Sequence, residues 1–231
     1  MRPPQGNGMT SAPNLTARRL FAPIAPTYER WARILSLGQD GRWRRAMIEG
    51  LVLVDGATVL DVAAGTGSIT RRLQTEGCHV VAVDLSEAML DRHPGPERVQ
   101  ARAETLPFRD NTFDALTFGY LLRYVEDPVS CLAELVRVVK PGGGLGMVEF
   151  GLPTGLWKAP WIIYSGLILP GAGRMVSHGW YQVGRFLRRS IEDFHAKYPD
   201  PASLWREAGM IDVVEKRLSL GGGLVIWGRK P

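Results

Sequence analysis

Several features of common protein classes are missing from this chain. Its two cysteines, Cys78 and Cys131, are not spaced as metal ligands, so buried free thiols in a reducing cytoplasm are expected and no metal is predicted. A membrane-spanning helix needs about 20 apolar residues, and the apolar run between Pro160 and Pro170 is too short. No secretory signal opens the sequence, and residues 1–14, rich in Pro, Gly, Asn and Ser, are predicted to be a disordered leader. A cytoplasmic protein is therefore expected.

The charge pattern does not suit a nucleic-acid-binding protein. The net charge is +5, but the 28 basic and 23 acidic residues are mixed along most of the chain, and no run of basic and aromatic residues forms a stacking platform. Small arginine clusters occur at Arg42, Arg44 and Arg45 and again at Arg185, Arg188 and Arg189. Solvated helix faces are the first expectation for these clusters, contact with an anionic membrane surface or an acidic substrate the second, and nucleic acid the last.

The sequence does contain a strand–turn–helix pattern that is typical of ligand-binding α/β proteins. The apolar run 57–62 predicts a buried strand with Asp61 near its carboxyl end, and the glycine turn 65–67 leads into a helix. The turn lacks the third glycine of the dinucleotide pattern and no Gly-Lys-Ser/Thr follows it, which disfavours pyrophosphate binding. Residues 79–84 predict the next buried strand, and the acid at its end, Asp84, can accept both hydroxyls of a ribose.

Strand signals alternate with helix signals along the rest of the chain. Strands are predicted at residues 57–62, 79–84, 99–103, 113–118, 145–150, 211–218 and 224–228. The glycine-rich segment 141–144 is expected to end the helix before the fifth strand, and the last two strands are expected to form an antiparallel edge hairpin. The pattern predicts an α/β, Rossmann-like sheet of six parallel strands and one antiparallel edge strand, with helices on both faces.

Residues 15–231 are predicted to be one domain with two helical additions. Residues 15–53 predict a helical cap, which either closes the ligand cleft as a lid or covers a sheet edge. Residues 152–198 are rich in Trp, Pro, Gly and aliphatic residues and interrupt the alternation. This apolar insert is expected either to roof a pocket for an apolar substrate or lie on a membrane face, or to be ordinary core packing.

The stretch from Asp61 to Asp84 resembles motif I of class I S-adenosylmethionine-dependent methyltransferases and the acidic residue that follows it. The alternative is a structural glycine turn in another doubly wound protein, but the order of acid, turn, helix, strand and second acid favours a methyltransferase. The resemblance implies S-adenosylmethionine as the methyl donor. The donor-binding residues implied or expected are Asp61, Ala63, Gly65, Thr66, Gly67, Asp84, Leu85, Met89, Ala103, Glu104, Phe118 and Tyr120.

Further segments are similar to the quinone-biosynthesis C-methyltransferases of the UbiE/MenG type. They include Tyr28-Glu29, Leu35-Ser36-Leu37-Gly38, Trp43-Arg44-Arg45, Leu122-Arg123-Tyr124-Val125, Val148-Glu149-Phe150 and Gly222-Gly223-Leu224-Val225. The likeness covers roughly residues 15–231. It implies methylation of a ring carbon of a demethylated isoprenoid hydroquinone such as demethylmenaquinol.

Four positions depart from the pattern of that family. Arg123-Tyr124 replaces Arg-Asn, Asp40-Gly41 replaces His-Arg, Arg102 replaces an acid that can hold the adenine amino group, and Arg-Ser-Ile-Glu at 189–192 replaces Glu-Ser-Ile-Arg. The first, second and fourth departures are expected to bear on the acceptor pocket. The resemblance therefore supports the fold and the donor more strongly than it supports the acceptor.

The expected chemistry needs a nucleophilic ring carbon. Carbon attacks a sulfonium methyl group poorly unless the ring carries a hydroxyl that has lost or shared its proton, so a cation such as Arg123 would stabilise the phenolate. Glu149, His178 and Tyr181 are the candidate bases; the alternatives are a sheet-end salt bridge with Arg123, a surface histidine and core packing, respectively. The expected acceptor-binding residues are Tyr28, Tyr124, Trp157, Trp161 and Tyr164.

Three functions are thus open at the level of sequence. The first is a quinol C-methyltransferase, the second a methyltransferase for another lipophilic small molecule of secondary metabolism, acting at carbon, oxygen or nitrogen, and the third a non-catalytic S-adenosylmethionine-binding regulator. The expected partner is a lipophilic small-molecule acceptor and not nucleic acid. Peripheral membrane contact and a homodimer are left open.

Overall fold

The computed structural model describes residues 12–231, and a seven-stranded sheet forms its centre. The strands are β1 Thr58–Val62, β2 His79–Asp84, β3 Arg98–Gln100, β4 Phe113–Gly119, β5 Val139–Phe150, β6 Ile211–Leu218 and β7 Gly223–Arg229, in the order β3-β2-β1-β4-β5-β7-β6. Only β7 runs antiparallel to its neighbours β5 and β6. The predicted fold class, six parallel strands and one antiparallel strand, is confirmed; the antiparallel strand is the inner member of the edge hairpin that it forms with β6.

Helices cover both faces of the sheet. They are α1 Ala12–Phe21, α2 Tyr28–Leu35, α3 Gln39–Gly50, α4 Ser68–Thr75, α5 Glu87–Leu90, α6 Pro128–Val138, α7 Lys158–Ile163, α8 Leu169–Val176, α9 His178–Lys197 and α10 Pro201–Glu207. A π-helical turn, Tyr164–Ile168, joins α7 to α8. Of the predicted disordered leader, residues 12–14 are helical, so the prediction is wrong there, and residues 1–11 lie outside the described residues.

The core consists of two apolar clusters on opposite faces of the sheet. Alternate residues of β1 point to opposite faces, so Leu60 packs in one cluster with Phe118 and Trp205, whereas Val59 packs in the other with Met47. Both cysteines are buried free thiols, as predicted. The sheet is therefore enclosed on both faces, which leaves the carboxyl ends of the parallel strands as the place for a ligand.

The start of β5 differs from the prediction. The glycine-rich segment 141–144 was expected to end the helix before the fifth strand, but α6 already ends at Val138, and β5 begins at Val139 and runs through the segment with a register shift against β4. Two backbone hydrogen bonds, between Gly142 N and Lys230 O and between Lys230 N and Gly143 O, hold the segment against the end of the chain. A Cβ on Gly143 would lie 2.5 Å from the carbonyl oxygen of Asp114, so this glycine permits close strand packing, while Gly142 lies at the irregularity with a φ of +77°.

The insert after β5 is helical throughout most of its length. It consists of α7, the π-helical turn, α8 and α9, and α8 and α9 pack against each other. Its inner side contains Ser165, Leu169 and Trp180, which are buried. None of the helices in residues 12–231 combines the length and the apolar character that crossing a bilayer requires.

Candidate active site

A first cavity lies at the carboxyl ends of β1, β2 and β4, where the sequence predicts the methyl donor. Eight of the predicted donor-binding residues line it: Ala63, Gly65, Thr66, Asp84, Leu85, Met89, Ala103 and Tyr120. Helix α1, most of which belongs to the predicted helical cap, contributes a wall through Asn14, Ala17, Arg18 and Phe21, which were not singled out from the sequence. We call this space the donor cavity.

Gly65 and Asp84 form the polar floor of the donor cavity. The backbone N–H of Gly65 donates to Oδ2 of Asp84 over 2.8 Å, and the N–H of Ser86 donates to Oδ1 over 2.8 Å. Gly65 has a φ of +56° and open space beside its Cα, so a side chain there would be strained and would enter the cavity. Each carboxylate oxygen of Asp84 keeps a lone pair, which suits the predicted contact with ribose hydroxyls.

Asp61, in contrast, does not line the donor cavity. It is fully buried, and its carboxylate accepts hydrogen bonds from Thr70 Oγ1 at 2.7 Å and Thr117 Oγ1 at 3.1 Å. Thr70 in turn lies 2.9 Å from Nε2 of His93. Burial raises the pKa of Asp61 to about 6. The acid of the motif therefore ties β1 to α4 and β4 and supports the glycine turn from beneath.

Three more predicted donor residues also lie outside the donor cavity. A Cβ on Gly67 would come within 2.5 Å of Pro94 Cδ, so this glycine serves close packing at a φ of +84°. Oε1 of Glu104 accepts a hydrogen bond from Asn14 over 2.7 Å. Phe118 stacks on Trp205 in the core. These residues position the cavity wall rather than form it.

A second cavity of about 250 Å³ adjoins the first and is mostly apolar. Its walls come from α2, α3, the end of β5 and the insert, with Leu35, Trp43, Phe150, Leu169, Trp180 and Leu187 among the lining residues. Of the residues predicted to bind or act on the acceptor, Tyr28, Arg123, Trp161 and Tyr164 line it. We call this space the acceptor cavity. Phe21, Tyr28 and Tyr120 line both cavities and so mark their junction.

Arg123 and Glu149 form a buried ion pair beside the acceptor cavity. Nε of Arg123 lies 2.9 Å from Oε1 of Glu149, and the two side chains are 1% and 0% exposed. Nη1 of Arg123 donates to Ser190 Oγ over 2.6 Å, and the guanidinium lies over the rings of Tyr124 and Phe150. Oε2 of Glu149 has no hydrogen-bond partner among the described residues. Glu149 does not line the cavity, so its position is that of a partner to Arg123 and not of a base in contact with an acceptor.

A second charged cluster lies at the junction; the sequence indicated that Asp40 bears on the acceptor pocket and that Tyr120 belongs to the site, but not that they meet Arg44. Oδ2 of Asp40 accepts from Arg44 Nε over 2.8 Å, and Oδ1 accepts from the Tyr120 hydroxyl over 2.5 Å. Arg44 was expected to belong to a solvated helix face, but it is buried and its guanidinium lies 5.4 Å from the Tyr120 ring centre. The prediction was wrong because this side of α3 packs against the sheet; Arg42 and Arg45 are exposed as expected. The i, i+4 spacing of Asp40 and Arg44 was the available signal.

The charges of this cluster fix its protonation. Although burial opposes it, the charge and hydrogen bond of Arg44, with the hydrogen bond of Tyr120, hold the pKa of Asp40 below its usual value. Burial raises the pKa of Tyr28 to about 12, and burial followed by the charge of Asp40 raises the pKa of Tyr120 well above its usual value. At neutral pH the junction therefore presents one carboxylate, one guanidinium and two neutral phenols.

Besides Glu149, four predicted site residues are not brought into the acceptor cavity. His178, hydrogen-bonded to Gln182, and Tyr181 lie on α9 and line an open surface groove, which Arg123 and Ser190 also line. Tyr124 lines the donor cavity, where its ring stacks on Phe186. Trp157 is 50% exposed on the outer side of the insert. The sequence pattern does not show in which direction these side chains point, so it could not separate them from Trp161 and Tyr164.

Comparisons with known proteins agree with this arrangement. The sequence profile of the ubiE/COQ5 methyltransferase family matches residues 9–230. A demethylmenaquinone methyltransferase of Renibacterium salmoninarum is 39% identical over 215 residues, which cover 89% of this chain and 87% of that protein. A protein of Desulfotalea psychrophila named ubiquinone/menaquinone biosynthesis C-methyltransferase UbiE is 35% identical, with coverage of 92% and 89%.

The fold is also similar to that of solved structures at low sequence identity. Phosphoethanolamine N-methyltransferase 2 of Haemonchus contortus, in complex with S-adenosyl-L-methionine, aligns with a TM-score of 0.57 at 14% identity. The alignment covers 81% of this chain and 52% of that one. At this identity the likeness concerns the fold alone.

Proposed function

The chain belongs to the ubiE/COQ5 methyltransferase family, and we propose that it transfers a methyl group from S-adenosylmethionine to a ring carbon of a demethylated isoprenoid hydroquinone such as demethylmenaquinol. Methyl transfer of this kind is an in-line displacement in which the bond between sulfur and the methyl carbon breaks as a new carbon–carbon bond forms. The donor leaves as the neutral thioether S-adenosylhomocysteine, and the methylated ring carbon then loses its hydrogen as a proton, which restores the aromatic ring. The task of the protein is to position donor and acceptor and to keep water away.

The observation that carries the proposal is the junction between the two cavities. The donor cavity has the polar floor of Gly65 and Asp84, whereas the acceptor cavity is mostly apolar, and both are lined by Phe21, Tyr28 and Tyr120. A polar donor and an apolar aromatic acceptor placed in these spaces meet at that junction. The aromatic side chains there exclude water from the transfer.

Two charged groups suit the activation of a hydroquinone. Arg123 lines the acceptor cavity as a cation, so it stabilises negative charge on a ring oxygen while the ring carbon attacks. A guanidinium is a poor base, and the ionised carboxylate that lines this cavity is that of Asp40. We assign to Asp40 the hydrogen bond from the acceptor hydroxyl, whose proton it shares as the carbon attacks.

The two phenols at the junction play a different part. Because their pKa values are raised, Tyr28 and Tyr120 stay neutral and cannot serve as bases at physiological pH. Tyr120 donates to Asp40 and thereby orients the carboxylate. Tyr28 stacks near Trp180 and supplies aromatic surface to the acceptor ring.

The test uses a soluble acceptor. The purified protein is incubated with S-adenosylmethionine and a short-chain 1,4-naphthohydroquinone that is unsubstituted at the ring carbon next to the chain. Mass spectrometry should show one added methyl group, and NMR should place it on the ring carbon. Methylation at oxygen, or turnover only with other lipophilic acceptors, would refute the hydroquinone assignment. Donor binding without turnover on any acceptor would instead support a regulator.

A further inference from the structure

The insert has a second apolar face, which points away from the acceptor cavity. Its exposed apolar side chains are Leu156, Trp157, Ile163, Leu167, Ile168 and Met175, and Leu156, Leu167 and Met175 are 91%, 71% and 90% exposed. Trp161, Tyr164 and Leu169, from the same helices, line the acceptor cavity instead. Ile163 and Leu167 are spaced i, i+4, so they lie on one side of the helix. We call the exposed residues of 156–175 the outer face.

The segment that carries the outer face has charge of one sign. No acidic residue occurs between Glu149 and Glu192, whereas the basic residues of that stretch are Lys158, Arg174, Arg185, Arg188 and Arg189. Elsewhere the chain mixes both signs, so this one segment contributes as much positive charge as the net charge of the whole chain, +5. The outer face is therefore apolar and basic together.

The basic side chains lie beside the outer face. Arg185, Arg188 and Arg189 line a surface groove together with Gly166 and Pro170 of the insert and with the acids Glu192 and Asp193. Arg188 and Arg189 pair with these acids, but among residues 12–231 no carboxylate forms a salt bridge with Lys158, Arg174 or Arg185. Arg174 and Arg185 lie near the ring of Tyr181, and all three cations are exposed, so they are available to an anionic surface.

We propose that the outer face binds an anionic lipid bilayer, with the apolar side chains in the headgroup–acyl boundary and the basic side chains on the phosphates. Amphipathic segments with aliphatic and aromatic side chains on one face and Lys or Arg around it bind bilayers in this way. A second copy of the chain fits less well, because a two-fold contact would bring two basic surfaces together. The inference rests on the proposed function, since an isoprenoid acceptor is a bilayer component and the inner face of the same helices lines its cavity.

The test is co-sedimentation of the full chain with large vesicles of phosphatidylcholine, alone or mixed with phosphatidylglycerol. Binding should require the anionic lipid and weaken as salt is raised. The variant Ile163→Ser/Leu167→Ser and the variant Lys158→Gln/Arg174→Gln should each bind the mixed vesicles at least about tenfold more weakly. The matched control is Val52→Ser/Val54→Ser, which removes exposed apolar side chains just before the amino end of β1, whereas the insert follows the carboxyl end of β5.

Vesicle binding tests the membrane proposal, and turnover tests the proposed function separately. Thermal unfolding confirms that the variants are folded, and turnover on the short-chain acceptor in solution is measured in parallel. Wild-type binding by both outer-face variants, or equal loss in the control, overturns the inference. So does a dimer in sedimentation velocity that only the outer-face variants abolish, because the face would then bind a second copy. Absence of turnover on the soluble acceptor in wild type and in all the variants would instead contradict the proposed function.

Discussion

Replacing Arg123 by glutamine will affect stability and catalysis together, and a double variant separates the two. Arg123→Gln leaves the fully buried Glu149 without its cation, and breaking a buried pair from one side costs about 3–5 kcal/mol. For a chain of this size that lowers the melting temperature by about 6–20 °C. Arg123→Gln/Glu149→Gln removes both charges and leaves two amides that can hydrogen-bond. We expect its free energy of unfolding to recover to within about 1–2 kcal/mol of wild type.

Turnover should not recover in the double variant. A cation aimed at developing charge contributes about 3–4 kcal/mol to the transition state, which is a factor of about a hundred to a thousand. We therefore expect Arg123→Gln/Glu149→Gln to turn over the short-chain hydroquinone at least about a hundredfold more slowly, with donor affinity nearly unchanged. Arg123→Lys keeps the charge but loses the planar guanidinium that reaches Glu149 and Ser190, so its turnover should lie between that of wild type and that of the double variant.

The measurements are chemical denaturation, steady-state kinetics and titration calorimetry with the donor. The control is Arg217→Gln, which breaks the exposed pair of Arg217 with Glu215 on β6 and should cost at most about 1 kcal/mol with wild-type turnover. If the stable double variant works within a few fold of wild type, Arg123 has only a structural role. In that case the electrostatic argument for a hydroquinone acceptor fails as well.

Three further predictions concern the two cavities and the buried carboxylate of Asp61 beneath the glycine turn. Asp40→His should move the loss of activity at low pH to about pH 6.5, because a histidine can accept the acceptor proton only when it is neutral; an acid limb identical to that of wild type would exclude Asp40 from contact with the acceptor. Gly65→Trp should weaken donor binding in calorimetry at least about tenfold, since the side chain enters the donor cavity, whereas Gly56→Trp, at a similar positive φ in open space, should bind normally. The raised pKa of Asp61, about 6 in the folded protein, means that the folded state holds more protons than the unfolded state between about pH 4 and 6. The free energy of unfolding therefore falls by about 3 kcal/mol in total as pH rises through that window. Asp61→Asn should lack this fall, and a free energy of unfolding that declines with pH in the variant as it does in wild type would contradict the argument.

The sequence was sufficient for elements whose signals are local. The strand at residues 79–84 matches β2, and that at 211–218 matches β6, because a strand leaves either a continuous apolar run or an alternation of apolar and polar residues bounded by turn residues. Asp127 and Pro128 marked the start of α6, where Asp127 accepts from the backbone N–H groups of Val129 and Ser130. The glycine turn and Asp84 were likewise local, so most of the donor cavity could be predicted.

The acceptor side could not be predicted in the same way, because its contacts join distant parts of the chain. Asp40 and Tyr120 meet across 80 positions of the sequence, and Arg123 and Ser190 across 67. Arg44 looked like a surface residue because a helical pattern does not reveal that the polar side of α3 also packs on the sheet. The segment 141–144 was expected only to end a helix, because glycines inside an irregular strand have the same sequence signal as glycines that follow a helix.

The same insert connects acceptor choice to the place where the acceptor is found. A cavity of about 250 Å³ suits an aromatic head group, whereas a long isoprenoid tail needs further apolar surface. Trp161 and Tyr164 contact the cavity, and Ile163 and Leu167 of the same helical run face outward. A tail that leaves the cavity past this run reaches the outer face. If that face binds a bilayer as proposed, the tail can stay in the bilayer while the ring reaches Tyr28, Tyr120 and Arg123. The enzyme would then not need to extract the whole lipid, because only the ring would leave the membrane for each methyl transfer.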